Sequence, residues 1–178
     1  AIFWKDKDIT KQQILRWSPN KIKEIIYKLN NIELMVKKNY SNSMNFMTGD
    51  GGFDFSIDYD KQELSATKLI YAQIIYALMM QKHNGHFVLK IFDIFHKSSI
   101  ELIYLLNTFY RSVCVCKPKT SRFANSEKYL VCKNYNYDKN IIDLLFDNFI
   151  EKKLNIYIPK TFLDDLKYYN DIYCEVQN

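Results

Sequence analysis

The order of apolar segments predicts an α/β fold with a mostly parallel sheet. Short apolar runs typical of strands alternate with longer segments whose apolar residues recur every three or four positions, as in helices. An order of strand, helix, strand, helix, strand favours parallel pairing, because each helix crosses over between neighbouring strands. Two apolar runs near residues 112 and 133 are joined by a polar loop, so the sheet is expected to close with an antiparallel hairpin.

The first half of the chain is predicted to hold helical segments around one strand. Lys11–Asn30 has helical spacing that is interrupted once by proline, which can open a second helix. Met44–Thr48 is a short apolar run that ends at the turn Gly49-Asp50-Gly51-Gly52. Asp60–Lys82 carries a broad apolar stripe that predicts a helix, and Asn84-Gly85 is expected to close that helix.

The second half is predicted to alternate in the same way. His86–Phe92 is apolar apart from Lys90, which is typical of a central strand buried on both faces. A serine, Ser98 or Ser99, is expected to cap the next helix, which ends near Phe109. A strand, a basic loop, a last strand and two amphipathic helices then follow: Ser112–Cys116, 117–125, Lys128–Lys133, Asp138–Lys153 and Lys160–Tyr169.

Composition places the chain among folded intracellular proteins. Of its 178 residues, 48% are apolar and 25% are charged, which is enough for a core and excludes a disordered chain. No apolar run reaches the roughly 18 residues of a membrane-spanning helix, and the first residues lack the basic and apolar regions of a signal peptide. We therefore expect no membrane association and a reducing, intracellular setting.

The four cysteines carry no signature of a metal site. They occur without a Cys-x-x-Cys pair, and the three histidines are not at zinc-finger spacing. We interpret the thiols as small buried side chains in a reducing compartment. No metal site is predicted.

Positive charge is concentrated in one segment. The chain has a formal net charge of +5. Arg111–Lys133 contains six basic residues and one acid, so this segment alone accounts for the whole excess. Such a segment favours an anionic partner, with an acidic protein surface as one alternative to nucleic acid.

Lys90 and Asp50 are the first candidates for a functional site. Both fall near the carboxyl ends of predicted strands, where ligands bind in open α/β sheets. A lysine within an apolar strand needs a partner because an unpaired buried ammonium is costly, and desolvation suits it to act as a base. The alternative is a lysine whose stem follows apolar surface while its head reaches water. The glycines around Asp50 allow close backbone approach to a ligand, although they also suit a plain turn.

The polar loop before the last strand is the third candidate. Hydroxyl, amide and guanidinium groups of the kind that bind phosphate or ribose follow one another there, with two lysines just ahead of them. The alternative is an ordinary solvated loop. The candidate residues are Lys117, Lys119, Ser121, Arg122, Asn125 and Ser126.

Three segments together resemble the FtsJ-like RNA ribose 2′-O-methyltransferases, and most closely the mRNA cap ribose methyltransferases of eukaryotes and large DNA viruses. They are Met47–Phe53, Gly85–Phe92 and Lys117–Lys133, in the order and spacing of that family. The resemblance extends from about Asp8 to about Tyr135. It implies a Rossmann-like methyltransferase fold, S-adenosylmethionine as cofactor and capped RNA as partner, in the nucleus or in the cytoplasm or virion of a DNA virus.

The resemblance also implies roles for individual residues. Asp50, Lys90 and Glu127 match three members of the family's Lys-Asp-Lys-Glu catalytic tetrad. Lys90 would deprotonate or orient the ribose 2′-hydroxyl, and Asp50 would position that lysine close to the methyl donor. Glu127 would complete the hydrogen-bond frame, and the polar loop would bind RNA.

The cofactor-binding residues implied by the resemblance are Asp8, Asp50 and Gly51. Asp8 matches an aspartate that contacts the adenine, although Lys7 stands where the family has glycine. The family's first strand, Gly-rich loop and first tetrad lysine belong before Asp8, where only seven residues stand. We therefore expect the C-terminal part of the domain in residues 1–135 and a helical extension packed on it in residues 136–178.

The absence of these elements leaves two hypotheses. In the first, the N-terminal half of the same protein or a second chain supplies them, since the strand at Met44–Thr48 would otherwise expose a hydrophobic edge. This chain by itself would then be inactive. In the second, the domain is a degenerate methyltransferase fold that binds RNA or stimulates a partner without catalysis.

Overall fold

The computed structural model describes residues 2–5, 15–16, 40–51, 62–122, 125–136 and 156–177. The predicted helix at Asp138–Lys153, most of the one at Lys11–Asn30, and Asp8 lie outside these residues. No helix in the described ranges is long and apolar enough to cross a membrane. The described elements are β1 Ile2–Lys5, β2 Leu15–Arg16, β3 Met44–Gly49, α1 Gln62–Met80, β4 Gln81–Ile91, α2 Lys97–Phe109, β5 Tyr110–Cys116, β6 Lys128–Tyr135 and α3 Lys160–Gln177.

The strands form one six-stranded sheet in the order β2-β1-β3-β4-β6-β5. The predicted α/β class and the closing β5–β6 hairpin are confirmed. The pairing differs from the expected mostly parallel sheet, because β3–β4 is the one parallel pair among the described strands. On the β5 side of the sheet, the antiparallel pairs arise because β6 lies between β4 and β5 and runs in the opposite direction to both. β3, β4 and β5 still point the same way.

β1 and β2 lie beyond β3 and correct two expectations. Leu15–Arg16 pairs with β1 as a short strand, so this part of the predicted Lys11–Asn30 helix is wrong. β1 pairs antiparallel with β3 over all four of its residues. The edge of β3 is therefore covered within the chain itself, and the expected exposed edge at Met44–Thr48 is wrong as well.

The Asn84-Gly85 pair does not close α1, because the helix ends earlier and the chain passes directly into β4. Asn84 has a φ of 62° and lies where the β3–β4 register shifts, so the pair forms an irregularity within the strand. A Cβ on Gly85 would lie 2.5 Å from Cγ of Gln81. The buried Gln81 amide donates to the His86 carbonyl oxygen and accepts from the Tyr110 hydroxyl. Glycine is thus required by the packing of this side chain.

The sheet has one buried face and one more open face. Phe87 and Leu89 of β4 belong to the same buried cluster as Leu130 and Cys132 of β6, together with side chains of α1 and α2. The alternate residues of both strands are half-buried or exposed, so the expectation that β4 is buried on both faces is wrong. Lys90 belongs to the more open face, which lowers the cost of its charge.

β5 is the outermost strand on its side of the described sheet. Its Cys114 and Cys116 are exposed free thiols, as is Cys174 of α3, whereas Cys132 is buried. The interpretation of the cysteines as buried side chains is therefore right for Cys132 alone. Burial raises the pKa of the Cys132 thiol, and the nearby Cys114 adds to this effect.

The turn into α2 is fixed by a residue from α1. The predicted cap, Ser98 or Ser99, is not used, because His96 is the N-cap residue and makes no side-chain cap hydrogen bond. Instead, the buried Glu63 carboxylate accepts from the backbone N–H of Phe95 at 3.0 Å and of His96 at 2.8 Å. It thereby satisfies donors at the helix start that have no partner within the helix. Glu63 anchors the segment that follows β4.

We expect Glu63→Ala to lower the free energy of unfolding by about 2 kcal/mol, because two backbone N–H groups lose their acceptor. Urea unfolding followed by circular dichroism measures this change. Glu175→Ala, at an exposed position on α3, is the matched control and should change stability by less than about 0.5 kcal/mol. Equal stability of Glu63→Ala and the unaltered chain would refute the anchoring role.

Candidate active site

Asp50 and Lys90 come together at the carboxyl ends of two parallel strands. β3 and β4 pair in register up to Gly49↔Leu89, so the next residue of each strand lies at the same level. The Asp50 Oδ1 and Lys90 Nζ atoms are 2.8 Å apart. The lysine side chain is 16% exposed and the aspartate side chain 64% exposed. The ammonium therefore has a partner, and that partner remains open to a ligand.

Glu127 lies at the same edge, on the other side of β4. It immediately precedes β6, whose Tyr129 pairs with Lys90. The Tyr129 hydroxyl donates to Glu127 Oε1 at 3.3 Å. Burial, and then the charges of Glu127 and Asp50, raise the pKa of Tyr129 to about 12, so this hydroxyl stays protonated and remains a donor at neutral pH. The three residues thus share one edge of the sheet, while their catalytic roles stay predictions.

Tyr129 is a site residue that the sequence reasoning missed. The sequence feature that could have predicted it is its spacing of two from Glu127, since residues two apart in a strand share a face. The pairing with Lys90 depends on the β4–β6 register, which the sequence alone does not reveal.

Gly49 and Gly51 are explained by packing against α1. The Gly51 N–H donates to Oε1 of the buried Gln73 at 2.8 Å. An added Cβ would lie 2.9 Å from that oxygen at Gly51 and 2.8 Å from Leu89 Cδ1 at Gly49. The glycines thus allow the turn that carries Asp50 to sit directly on the helix. The cofactor role of Gly51 stays a prediction, and its N–H is already engaged.

The loop between β5 and β6 is held by its own polar groups. The Lys117 ammonium donates to the Asn125 carbonyl oxygen and Oδ1, both at 2.5 Å, and to the Glu127 carbonyl oxygen at 2.8 Å. The Ser121 hydroxyl lies 3.2 Å from Asn125 Oδ1 and 3.4 Å from Glu127 Oε1. Burial lowers the pKa of Lys117, and the nearby Lys128 adds to this effect. These contacts connect the loop to the site through Glu127.

The other predicted RNA-binding residues differ in exposure. Lys119 and Arg122 are exposed, whereas Ser126 is half-buried and has a partner within the protein. Phosphate contacts need accessible cations, so the geometry favours Lys119 and Arg122 for that task. Lys117, Ser121 and Asn125 already hold the loop together through their hydrogen bonds. All six RNA-binding assignments stay predictions.

Asp50 is the described residue that best fits the cofactor implied by the resemblance. Its exposed carboxylate suits the positive charge of a sulfonium, because opposite charges at a partly dehydrated edge attract. Asp8 lies outside the described residues. Within the described ranges, no group of three or more His, Cys, Asp or Glu side chains is placed to hold a metal ion.

The fold and the site define an α/β protein with an aspartate–lysine pair at the carboxyl edge of its sheet. A family model described as FtsJ-like methyltransferase matches residues 7–135. The chain therefore belongs to the FtsJ-like methyltransferase family, as the resemblance predicted. The Rossmann-like fold class agrees with that membership.

This chain covers only part of the length of the relatives that it matches. It is 35% identical over 150 residues to cap-specific mRNA (nucleoside-2′-O-)-methyltransferase 1 of Mus musculus, with 75% of this chain and 18% of the mouse protein covered. It is 33% identical over 127 residues to cap-specific mRNA (nucleoside-2′-O-)-methyltransferase 2 of Drosophila melanogaster, with 70% of this chain and 18% of that protein covered. Among solved structures, a Plasmodium falciparum chain described as a ribosomal RNA methyltransferase aligns with a TM-score of 0.44 and 20% identity, over 64% of this chain and 56% of its own.

We expect Gly51→Ala to lower the free energy of unfolding by about 1–3 kcal/mol, because the added methyl group overpacks against Gln73. Shortening the helix side chain should relieve the contact. The double variant Gly51→Ala/Gln73→Ala should therefore be less destabilised than the sum of the two single variants. Urea unfolding of the four proteins gives this coupling, and strict additivity would show that Gln73 is not what requires glycine here.

Proposed function

We propose that this chain carries the catalytic edge of an S-adenosylmethionine-dependent mRNA cap ribose 2′-O-methyltransferase. The observation that carries the proposal is the 2.8 Å Asp50–Lys90 ion pair at the ends of two parallel strands, in a chain of the FtsJ-like methyltransferase family. The relatives are named as cap-specific mRNA 2′-O-methyltransferases, which supports capped mRNA as the substrate class.

Lys90 acts on the reacting hydroxyl. As an ammonium, its Nζ orients the ribose 2′-hydroxyl by donating a hydrogen bond to the hydroxyl oxygen, and after losing a proton to solvent the neutral amine takes the hydroxyl proton, while the Asp50 carboxylate holds Nζ in place. When bound, S-adenosylmethionine would supply an electrophilic methyl group on its sulfonium, and the S–CH₃ bond would break with its electron pair left on the thioether sulfur of the departing cofactor. The protein has little other chemistry to perform, so its contribution is mainly the positioning of the reacting groups.

Glu127 completes the frame around the lysine from the β6 side. Tyr129, which pairs with Lys90 across β4 and β6, donates to the glutamate carboxylate and keeps it directed to this edge. Asp50 holds the lysine head group directly, and Glu127 would limit its movement from the β6 side. Such restriction favours attack by one particular hydroxyl.

Asp50 and Asp8 are the residues that would hold the cofactor. Asp50 would hold the cationic part of S-adenosylmethionine through its exposed carboxylate, and Asp8 would contact the adenine. Capped RNA is the partner, and the protein acts where capped RNA occurs, in the nucleus or the cytoplasm.

The loop before β6 binds the RNA backbone. The exposed Lys119 and Arg122 contact phosphates, and the hydroxyl and amide groups of the loop contact ribose. The hydrogen bonds of Lys117 hold this loop against Glu127, so that bound RNA presents its ribose to Lys90.

We expect Lys90→Ala to abolish methyl transfer while RNA affinity stays within about twofold, since affinity comes mainly from phosphate contacts. Transfer of labelled methyl groups to capped RNA is measured beside filter binding of the same RNA, in the protein as its gene encodes it. Lys133→Ala, at an exposed position on β6, is the control for loss of charge. Normal turnover of Lys90→Ala would overturn the catalytic assignment. RNA binding without any methyl transfer by the unaltered protein would favour a degenerate fold that binds RNA or stimulates a partner.

We expect the double variant Lys119→Ala/Arg122→Ala to behave in the opposite way. It should weaken RNA binding, reduce the slope of log affinity against log salt by about 0.7 for each lost phosphate contact, and raise KM more than it lowers kcat. Lys160→Ala/Lys167→Ala removes the same charge from exposed positions on α3 and is the matched control. An unchanged salt slope in the loop variant would remove Lys119 and Arg122 from the RNA interface.

A further inference from the structure

Lys128 holds a buried ammonium directly behind the candidate site. Its side chain is 1% exposed, and its Nζ lies 2.8 Å from Asp93 Oδ1. The same atom lies 3.8 Å from the centre of the Tyr173 ring on α3. A buried ammonium needs a partner, and a cation above an aromatic ring is stabilised further. These three side chains form one unit, here called the Asp93–Lys128–Tyr173 cluster.

The cluster is adjacent to the residues proposed for catalysis. Lys128 begins β6 directly after Glu127, and Asp93 lies three residues after Lys90. Because neighbouring residues of a strand point to opposite faces, the Lys128 side chain lies on the buried face and Lys90 on the more open one. The ion pair therefore joins the ends of β4 and β6 from behind. It limits how far Glu127 can shift relative to Lys90.

α3 contacts the segments at both of these strand ends. Asn170 Nδ2 donates to the Ile94 carbonyl oxygen at 2.8 Å, in the segment after β4. The Tyr173 hydroxyl donates to the Asn125 carbonyl oxygen at 3.4 Å, in the loop before β6. The buried Leu166 anchors the same helix in the core. α3 therefore contacts both the segment after β4 and the loop before β6, which are the two regions that the Asp93–Lys128 ion pair joins.

Positioning explains this ion pair better than stability does. Replacing a buried ion pair by apolar side chains of similar size is often neutral or stabilising. Asp93 keeps 35% of its side chain exposed, so water can solvate it when its partner is removed. What the pair supplies is a fixed relation between two strand ends, and the chemistry proposed for Lys90 and Glu127 depends on that relation.

We propose that Asp93, Lys128 and Tyr173 are positioning residues through which α3 holds Glu127 and its loop in the geometry needed for methyl transfer. The proposal rests on the proposed methyltransferase function. The cluster lies behind the sheet and contains none of the exposed loop cations, so we expect it to affect turnover more than RNA affinity.

Lys128→Met tests this role, because methionine nearly preserves the length of the side chain and removes its charge. In the protein as its gene encodes it, we expect kcat for methyl transfer to fall about tenfold to a hundredfold, with KM for capped RNA within about twofold. The thermal unfolding temperature should fall only slightly, because the Asp93 carboxylate that loses its partner is 35% exposed and stays solvated. Lys128→Arg restores a cation beside the ring and should recover most of kcat. Lys133→Met, on the same strand, is the matched control and should behave like the unaltered protein.

Hydrogen–deuterium exchange separates failure of this proposal from failure of the proposed function. We expect faster amide exchange at residues 117–129 in Lys128→Met and in Tyr173→Leu, but not in Lys133→Met, because these segments lose their contact with α3. This result in a protein that transfers no methyl groups would support the coupling and overturn the methyltransferase function alone. Unchanged exchange in both variants, or unchanged kcat in Lys128→Met, would overturn the positioning role. A loss of kcat that follows a loss of stability and is not rescued by Lys128→Arg would overturn it too.

Discussion

The candidate site depends on the double pairing of β4. This strand pairs with β3 in parallel register on one side and with β6 in antiparallel register on the other. Phe87 and Leu89 are buried to 1% and 0% exposure, so they set the depth of the strand in the core. Lys90, the next residue, then has to emerge on the open face between the turn after β3 and the start of β6. A slip of β4 by one residue would bring it to the core face, because side chains alternate along a strand.

α1 shapes the same edge through polar residues on its buried side. Gln73 accepts from the turn after β3, and Glu63 accepts from the turn after β4. Both turns contain N–H groups that no strand satisfies, and buried polar groups in folded proteins are as a rule hydrogen-bonded. One helix therefore determines the backbone at the two strand ends that carry Asp50 and Lys90. The glycines beside Asp50 follow from the same contact, since a side chain there would collide with Gln73.

Local patterns were enough to predict the central strands, the closing hairpin and the proximity of Asp50 to Lys90, because strand ends in α/β sheets meet at a common edge. Most of the wrong expectations depend on partners far away in sequence. The serines at the start of α2 suit a cap, but the acceptor is Glu63, 33 residues from His96. The apolar composition of β4 suggests two buried faces, yet among the described residues one face is buried and the other is half-buried or exposed. The positions of Tyr129 and Lys128 relative to Lys90 depend on the β4–β6 register, which cannot be read from a short stretch of sequence.

The exposed thiols provide an attachment point for a chemical reporter. Cys116 is the last residue of β5 and directly precedes Lys117, where the polar loop begins. Cys132 is buried with a raised thiol pKa, and the thiolate is the form that reacts with maleimides. Serine in place of Cys114 and Cys174 would leave Cys116 as the reactive thiol among the four cysteines. A fluorophore attached there would sit one residue from the loop and change its emission when a ligand occupies that loop.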